Sequence, residues 1–312
     1  MALRIVFCGT PAFAVPSLQR LIADREFDVA GAITQPDRPR GRGQAIQSSP
    51  VKKAATAAGI PVYQPEKIKS DEAFEYFRRI APDAAVIIAY GQIIPQRLIG
   101  LPRLGWINLH ASLLPKYRGA APINWAIMNG ETRTGLTTMR IDAGLDTGPT
   151  LLKYETVIGA DETAPQLTQR LAEAGAPLVV ETLRKLASGE LTPAAQDEPA
   201  ASWAPPLKKE DGRADWSLPA EQIYARIRGL QPWPGAFTRF RGKTARIWGQ
   251  PAPADETPEP GTIVVRANGV YVVCGKNSAL EIESIQLEGR KPVSAREFAN
   301  GAHLAPGERF GA

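Results

Sequence analysis

The chain has 312 residues, enough for one large domain or two ordinary ones, and 44% of them are apolar, which excludes wholesale disorder. A net charge of +5 is mild for a nucleic-acid-binding protein, so the places where basic residues gather matter more than their sum. No apolar run approaches the ~18 residues that span a bilayer, and the first residues lack the apolar core of a signal peptide. We therefore expect a cytoplasmic protein with no membrane contact.

Cysteine and histidine are too sparse for a metal cluster. The two cysteines, Cys8 and Cys274, form no C-x-x-C, and both histidines lie far from them in the sequence. This spacing does not fit a zinc site, and we expect chemistry without a metal.

The first half of the chain alternates strands with helices. Apolar runs and capped amphipathic segments predict strands at 3–7, 29–33, 60–63, 84–89, 106–109, 134–141 and 150–158, and helices ending near 23 and spanning 50–58, 71–79, 122–129 and 165–187. Ser49 and Ser70 are the expected N-caps of two of these helices. This alternation predicts an α/β, Rossmann-like domain with a mostly parallel sheet and helices on both faces.

Two features near the N-terminus bear on ligands. Neither G-x-G-x-x-G nor G-x-x-x-x-G-K-[ST] occurs, so we expect no nucleotide cofactor. The long loop at 34–49 carries Arg38, Arg40 and Arg42 on a Gly/Pro-rich backbone. It is either a flexible cationic arm that reaches phosphates or a groove, or a solvated surface loop.

The segment from Trp106 to Gly119 (W-I-N-L-H-A-S-L-L-P-K-Y-R-G) concentrates polar groups at a predicted strand end. Asn108 and His110 lie two residues apart, so in extended chain both leave the same face. An amide donor beside an imidazole suits carbonyl chemistry. The alternative is a satisfied core histidine and a capping asparagine, and the residues alone leave both open.

Two carboxylates occupy the later glycine-rich loop D-A-G-L-D-T-G. Asp142 is best explained as a residue whose side chain accepts hydrogen bonds from the backbone of the turn. Asp146 has a second explanation, because a carboxylate that faces His110 would orient the imidazole.

The second half of the chain begins after a segment that shows neither the helical nor the strand period of apolar residues. Residues 189–206 carry four prolines, and we interpret 190–206 as a linker between a catalytic domain at 1–189 and a C-terminal domain at 207–312. A helix at 219–229, capped by Ser217, precedes strands at 237–240, 245–248, 261–266, 270–274 and 280–286. These short strands suggest a small β-barrel of OB type, with a sandwich as the alternative. Six basic and no acidic residues between Arg226 and Arg246, interleaved with aromatics, suggest nucleic-acid binding or a solvated strand face.

Taken together, these motifs resemble the methionyl-tRNA formyltransferases, a folate-dependent formyltransferase family, over essentially the whole chain. The likeness runs from F-C-G-T-P-A-F-A-V-P-S-L through T-Q-P-D-R-P-R-G-R-G, A-Y-G-Q-I-I-P, N-L-H-A-S-L-L-P-K-Y-R-G-A-A-P-I and D-A-G-L-D-T-G to D-W-S and P-W-P-G. It implies transfer of formyl from 10-formyltetrahydrofolate to the α-amino group of methionine on initiator tRNA, for translation initiation.

The resemblance also implies roles for single residues. It assigns catalysis to Asn108, His110 and Asp146, folate contact to Ser112, Leu113, Leu114 and Pro115, and the lining of a pterin pocket to Tyr90, Gly91, Gln92 and Ile93. For tRNA it offers Arg38, Arg40 and Arg42, and on the C-terminal domain Arg239, Arg241 and Lys243. We expect a monomer.

Several rival functions are weaker. A Ser112–His110–Asp146 hydrolase lacks the G-x-S-x-G elbow. Formyl transfer to a glycinamide ribonucleotide needs no second domain of this kind, and transfer to a sugar nucleotide would bring a further nucleotide-binding domain. A non-catalytic RNA-binding module predicts tRNA retention without formyl transfer. A nicotinamide oxidoreductase lacks its glycine fingerprint.

Overall fold

A computed structural model describes residues 2–40, 45–253 and 259–311. Its strands are β1 (Leu3–Gly9), β2 (Phe27–Ile33), β3 (Arg38–Arg40), β4 (Ala45–Gln47), β5 (Val62–Tyr63), β6 (Ala84–Ile88), β7 (Trp106–His110), β8 (Arg118–Gly119), β9 (Arg133–Arg140), β10 (Thr150–Val157), β11 (Trp203–Ala204), β12 (Phe237–Phe240), β13 (Lys243–Ala252), β14 (Ile263–Arg266), β15 (Gly269–Cys274), β16 (Ser278–Leu287) and β17 (Val293–Ser294). Its α-helices are α1 (Val15–Ala23), α2 (Pro50–Ala57), α3 (Asp71–Ile80), α4 (Gln96–Ile99), α5 (Pro122–Met128), α6 (Ala164–Ser188), α7 (Ala220–Gly229) and α8 (Ala295–Ala302). Within these described ranges, no helix has the length and apolar character needed to cross a membrane.

The chain divides into two compact units. The first comprises Met1–Pro122, Arg133–Val157 and Thr168–Pro205, and the second comprises Ile123–Thr132, Ile158–Leu167 and Pro206–Ala312. The domain bounds inferred from the sequence, at 189 and 207, stay a prediction.

The first unit is built on a seven-stranded sheet with the order β10-β9-β7-β6-β1-β2-β5. Strands β7, β6, β1, β2 and β5 are parallel, and β9 and β10 add antiparallel pairs at one edge. All five residues of β6 are buried, as expected of an inner parallel strand that reads as one apolar run. The predicted Rossmann-like, mostly parallel sheet is confirmed. Chain order reverses between β1 and β6, and ligands bind at the carboxyl ends of strands beside such a switch.

Helix starts follow the capping residues in two of three predicted cases. Ser49 Oγ accepts from the Lys52 amide at 3.0 Å, and Ser70 Oγ accepts from the Ala73 amide at 3.2 Å. The prediction for Ser217 is wrong: its hydroxyl donates to Asp215 at 2.6 Å, and α7 has Pro219 at its N-cap. Ser217 lies in a tight local turn, where Asp215 competes successfully for its hydroxyl.

The arginine loop is partly regular. Strands β3 and β4 pair antiparallel as a short ribbon in which Pro39 lies opposite Ile46. The sequence pattern did not indicate this ribbon, because three-residue strands are too short to show a period and proline is depleted in strands. Proline fits here because a two-stranded ribbon has only edge strands. Residues 41–44, which include Arg42, lie outside the described part of the chain.

The second unit holds an antiparallel sheet with the order β12-β13-β16-β15-β14, and β17 pairs with β16. The five predicted strands are present as β12 to β16, although β13 and β16 are longer than predicted with ten residues each, whereas closure into an OB-type barrel stays a prediction. Trp216, Phe240, Phe298 and Phe310 pack ring against ring in its core. Phe298 belongs to α8, a helix missing from our predicted elements although Ser294 and Glu297 form the S-x-x-E capping box that announces it.

Candidate active site

Strand β7 places an amide and an imidazole at the carboxyl edge of the sheet. It pairs parallel with β6 as far as Asn108 and antiparallel with β9 as far as His110, so Asn108 has strand neighbours on both sides and His110 has β9 on one side. His110 is only 6% exposed, and Asn108 is half-buried. The two side chains share one face of a strand that has little freedom to move.

Asp146 lies against both side chains. Its Oδ1 is 3.4 Å from the Asn108 amide nitrogen, its Oδ2 is 3.5 Å from His110 Nδ1, and Oδ2 also accepts from the Gly119 amide at 2.9 Å. The backbone of Asp146 is left-handed, with φ +53, a conformation that aspartate tolerates better than most residues. The structure thus brings the three residues named for catalysis together, with Asn108 and His110 both beside the Asp146 carboxylate.

The proton positions on His110 follow from its partners. Nε2 lies 2.9 Å from the Tyr117 carbonyl oxygen, which can only accept, so Nε2 carries hydrogen. Nδ1 is therefore the nitrogen that gains or loses a proton, and it is the one that faces Asp146. This arrangement can move a proton or donate to an anion beside the carboxylate.

Asp142 has the structural role expected of it. Its Oδ1 accepts from the Gly144 amide at 3.0 Å and from the Thr147 hydroxyl at 2.8 Å. These bonds shape the turn that presents Asp146.

The predicted folate segment 112–115 is held from both sides. Ser112 is fully buried, and its hydroxyl donates to the Lys116 carbonyl at 2.6 Å. The Leu114 amide donates to Thr137 Oγ1 at 3.1 Å, and Lys153 Nζ donates to the Leu114 carbonyl at 2.6 Å. The Ser112 hydroxyl is thus committed to a backbone carbonyl, which weakens the hydrolase alternative further. Leu113 and Pro115 are half-buried.

In the loop that follows β6, Tyr90 is buried and Ile93 is exposed. The Tyr90 side chain lies in the core, and burial raises the pKa of its hydroxyl. The backbone carbonyl of Tyr90 accepts from Thr10 Oγ1 at 3.1 Å and from Gln35 Nε2 at 3.2 Å. Gln92 accepts from the Ile68 amide at 2.7 Å, whereas Ile93 is 85% exposed. Gly91 has φ +91, which explains glycine at this bend.

The basic residues predicted to meet tRNA differ in availability. Arg38, Arg239, Arg241 and Lys243 are exposed. Arg241 donates to both oxygens of Glu308 and to the Ala302 carbonyl. The Glu308 contact raises the pKa of the Arg241 guanidinium.

Sequence reasoning missed a cluster of polar side chains around buried Arg118, next to the site. Arg118 is only 2% exposed and donates to both oxygens of Glu198, at 2.9 and 2.7 Å, and to Gln196 Oε1, at 3.1 and 2.8 Å. Glu198 raises the pKa of Arg118. The R-G at the end of the central motif was a signal for Arg118, but nothing in the period-free segment 190–206 singled out Gln196 or Glu198.

No group of three or more potential metal-ligating residues is found among the described residues. The two thiols, Cys8 and Cys274, are free and buried. Burial raises the pKa of Cys274 to about 12 and also raises that of Cys8, so both thiols are protonated at neutral pH and are poor nucleophiles.

Comparison with known proteins assigns the class. The profile of the formyl transferase family matches residues 3–183, and that of the formyl transferase C-terminal domain matches residues 206–303. The chain is therefore a member of the formyl transferase family.

Curated relatives narrow this to one branch. The chain is 54% identical over 310 residues to the methionyl-tRNA formyltransferase of Solibacter usitatus, covering 99% of each chain. It is 52% identical over 312 residues to that of Acidobacterium capsulatum, covering 99% of this chain and 100% of the relative. The chain belongs to the methionyl-tRNA formyltransferases.

Solved structures share the fold at low identity. An N-formyltransferase from Helicobacter canadensis, solved with folinic acid and dTDP-3-aminofucose, aligns with a TM-score of 0.67 at 17% identity, over 90% of this chain and 99% of that one. A glycinamide ribonucleotide transformylase from Symbiobacterium toebii aligns with a TM-score of 0.52 at 20% identity, over 63% of this chain and 95% of that one.

Proposed function

We propose that the protein transfers the formyl group of 10-formyltetrahydrofolate to the α-amino group of methionine on initiator tRNA, for translation initiation. The observation that carries this proposal is the identity of 48–54% to methionyl-tRNA formyltransferases over almost the whole chain. The geometry around Asp146 supports it independently, because acyl transfer needs an oxyanion donor and a proton acceptor close together.

The reaction is a direct displacement at the formyl carbon. The amine nitrogen attacks this carbon and forms the new C–N bond, which gives a tetrahedral oxyanion and an ammonium. The bond from the formyl carbon to folate N10 then breaks. One ammonium proton is lost and N10 gains one, so the products are tetrahydrofolate and formylmethionyl-tRNA.

Three side chains carry this displacement. The Asn108 amide, which now donates toward Asp146, turns one N–H to the oxyanion, and protonated His110 Nδ1 is a second donor. Asp146 holds the imidazole and takes the ammonium proton, directly or through water. None of these three side chains is a cysteine or a lysine, and Lys116, the lysine of the central motif, is exposed, which favours a route without a covalent enzyme intermediate.

The formyl donor contacts the segment 112–115 and the loop 90–93. Exposed Ile93 offers an apolar surface to the pterin ring. The backbone around Leu114, held by Thr137 and Lys153, offers polar groups in fixed positions. We assign folate contact to Ser112, Leu113, Leu114, Pro115, Tyr90, Gly91, Gln92 and Ile93.

Transfer RNA contacts basic side chains on two segments. The ribbon formed by β3 and β4 carries Arg38 and Arg40, and Arg42 follows β3 in the chain. In the C-terminal domain we assign Arg239, Arg241 and Lys243. Arg239 and Lys243 are the better hydrogen-bond donors to phosphate oxygens, because Arg241 is already paired with Glu308.

We assign the wider organisation on the same basis. Residues 1–189 form the catalytic domain and 207–312 the tRNA-binding domain, with 190–206 between them, and the C-terminal sheet is of OB type. The protein acts as a monomer in the cytoplasm. The six basic residues between Arg226 and Arg246 support the RNA-binding role.

One experiment tests substrate and class together. The protein is mixed with 10-formyltetrahydrofolate and either methionyl initiator tRNA or free methionine, and formylmethionine is measured after mild hydrolysis of the ester. We expect formylation of the tRNA-borne amino acid alone. Retention of tRNA without formyl transfer, or equal formylation of free methionine, would overturn the proposal.

A further inference from the structure

The segment from Ala194 to Ala204, here called the strap, contacts the loop that carries Asp146 and pairs with β8. At one end Ala194 and Thr150 exchange two backbone hydrogen bonds of 2.8 Å. At the other end β11 pairs parallel with β8, through Trp203 opposite Arg118 and Ala204 opposite Gly119. The strap therefore spans from the start of β10 to the strand that donates the Gly119 amide to Asp146.

Gln196 makes the central contact of the strap. Its Nε2 donates to the carbonyl oxygen of Asp146 at 2.8 Å and to that of Gly148 at 2.7 Å. Both bonds act on the loop that presents the Asp146 carboxylate. They hold a backbone turn in which Asp146 has positive φ, a conformation that needs support from its surroundings.

The orientation of the Gln196 amide is forced by its partners. Its Oε1 accepts from Nε and Nη2 of buried Arg118, and a guanidinium can only donate. Its Nε2 must therefore face the two carbonyls, which can only accept. Glu198 accepts from Nη1 and Nη2 of the same guanidinium and keeps it in place.

We propose that Gln196 is a positioning residue for catalysis: through the backbone of Asp146 and Gly148 it fixes the Asp146 carboxylate against Asn108 and His110. This inference rests on the proposed function of Asp146. A carboxylate displaced by as little as 1 Å loses its contacts with both partners, and misplacement on that scale costs up to about 10²-fold in rate.

The test is Gln196→Glu, which keeps the length of the side chain and its contact with Arg118 but replaces the donor with a charged oxygen facing two carbonyls. We expect kcat to fall about 10- to 100-fold. KM for 10-formyltetrahydrofolate should stay within about threefold, since no folate contact is altered. Asp197→Ala changes the exposed neighbour on the strap and should behave as wild type.

A second background separates positioning from general stability. Residues that act through one another are non-additive. In an Asp146→Asn enzyme, the addition of Gln196→Glu should therefore lower kcat by less than about a further twofold. An equal loss in both backgrounds, or wild-type turnover of Gln196→Glu alone, would overturn the inference. If Gln196→Glu fails to fold, the neutral Gln196→Met, which also lacks both donors, takes its place with the same expected outcomes.

The two proposals fail in different ways. Wild-type turnover of Asp146→Asn would overturn the catalytic assignment and this inference with it. A large loss in Asp146→Asn combined with normal turnover in Gln196→Glu would overturn the inference alone.

Discussion

A single carboxylate organises the candidate site. Asp146 receives the Gly119 amide on Oδ2 and lies near the Asn108 amide on Oδ1, while His110 Nδ1 faces it from the strand. Its backbone carbonyl is held separately by Gln196. Side chain and main chain are thus fixed by different partners, which suits a group that must stay in place while charge develops nearby.

At this scale the sharpest prediction concerns Asn108. Asn108→Ala removes the proposed oxyanion donor and should lower kcat about 10²-fold or more, because a single such donor is typically worth that much. Steady-state kinetics with methionyl-tRNA measures the change, and an unchanged Tm would show an intact fold. Asn300→Ala, at an exposed site on α8, is the matched control. Near-normal turnover would remove Asn108 from the oxyanion role.

Short elements hold the site together more than long ones do. Strands β8 and β11 have two residues each, yet their pairing fixes the Gly119 amide that contacts Asp146. Gly119 has φ +120, and a Cβ there would lie 2.7 Å from the Ala204 carbonyl oxygen. Glycine is required at this position by both backbone conformation and close approach.

Gly119→Ala should therefore separate β8 from β11. We expect a loss of about 1–3 kcal/mol in the free energy of unfolding, the range for a strained backbone position, together with reduced kcat. Urea unfolding and kinetics measure the two effects. Gly130→Ala is the control, since Gly130 also has positive φ but open space around it. Equal effects of the two substitutions would argue against the close approach as the cause.

The ribbon formed by β3 and β4 is anchored at its base by Asp37. Its carboxylate accepts from Lys52 at 2.5 Å and from Gln64 at 2.9 Å. The hydrogen bond from Lys52, followed by that from Gln64, lowers the pKa of Asp37. A folded-state pKa below the unfolded value contributes stability that is present above about pH 4 and is lost as the pH falls through the folded value.

Asp37→Asn should accordingly lower Tm at pH 7, and this effect should shrink as the pH falls below about 4 toward the lowered pKa of the folded wild-type carboxylate. Thermal unfolding followed by circular dichroism from pH 7 to pH 3 measures the difference. A Tm difference that stays constant over this range would contradict the ionic origin of the contact.

For the whole molecule, charge placement matters more than net charge. The chain carries only +5, yet the arginine loop has three arginines against one aspartate, and the segment from Arg226 to Arg246 has no acidic residue. Local concentrations of this kind suit a polyanionic substrate.

Arg42→Ala should weaken productive use of tRNA more than folate binding. We expect a higher KM for methionyl-tRNA, an unchanged KM for 10-formyltetrahydrofolate, and a salt dependence of tRNA binding whose slope is smaller by about 1. Arg78→Ala, an exposed arginine on α3, is the matched control. An unchanged rate at subsaturating tRNA would make the arginine loop a solvated surface loop.

Local patterns in the sequence predicted much of this protein. Apolar runs and capping serines predicted the central strands and the starts of α2 and α3, because burial and capping are encoded within a few neighbouring residues. The pair Asn108 and His110 was visible for the same reason, since two residues of one strand share a face. The family motifs then supplied Asp146 as their partner.

Contacts between distant short segments were not predictable in this way. Gln196 binds the backbone of Asp146 from 50 residues away, and Arg118 meets Glu198 across 80 residues. The strap that joins them has no hydrophobic period, and its two-residue strand β11 is too short to reveal one. Its conformation depends on hydrogen bonds to loops of other elements, and those partners exist only once the sheet has folded.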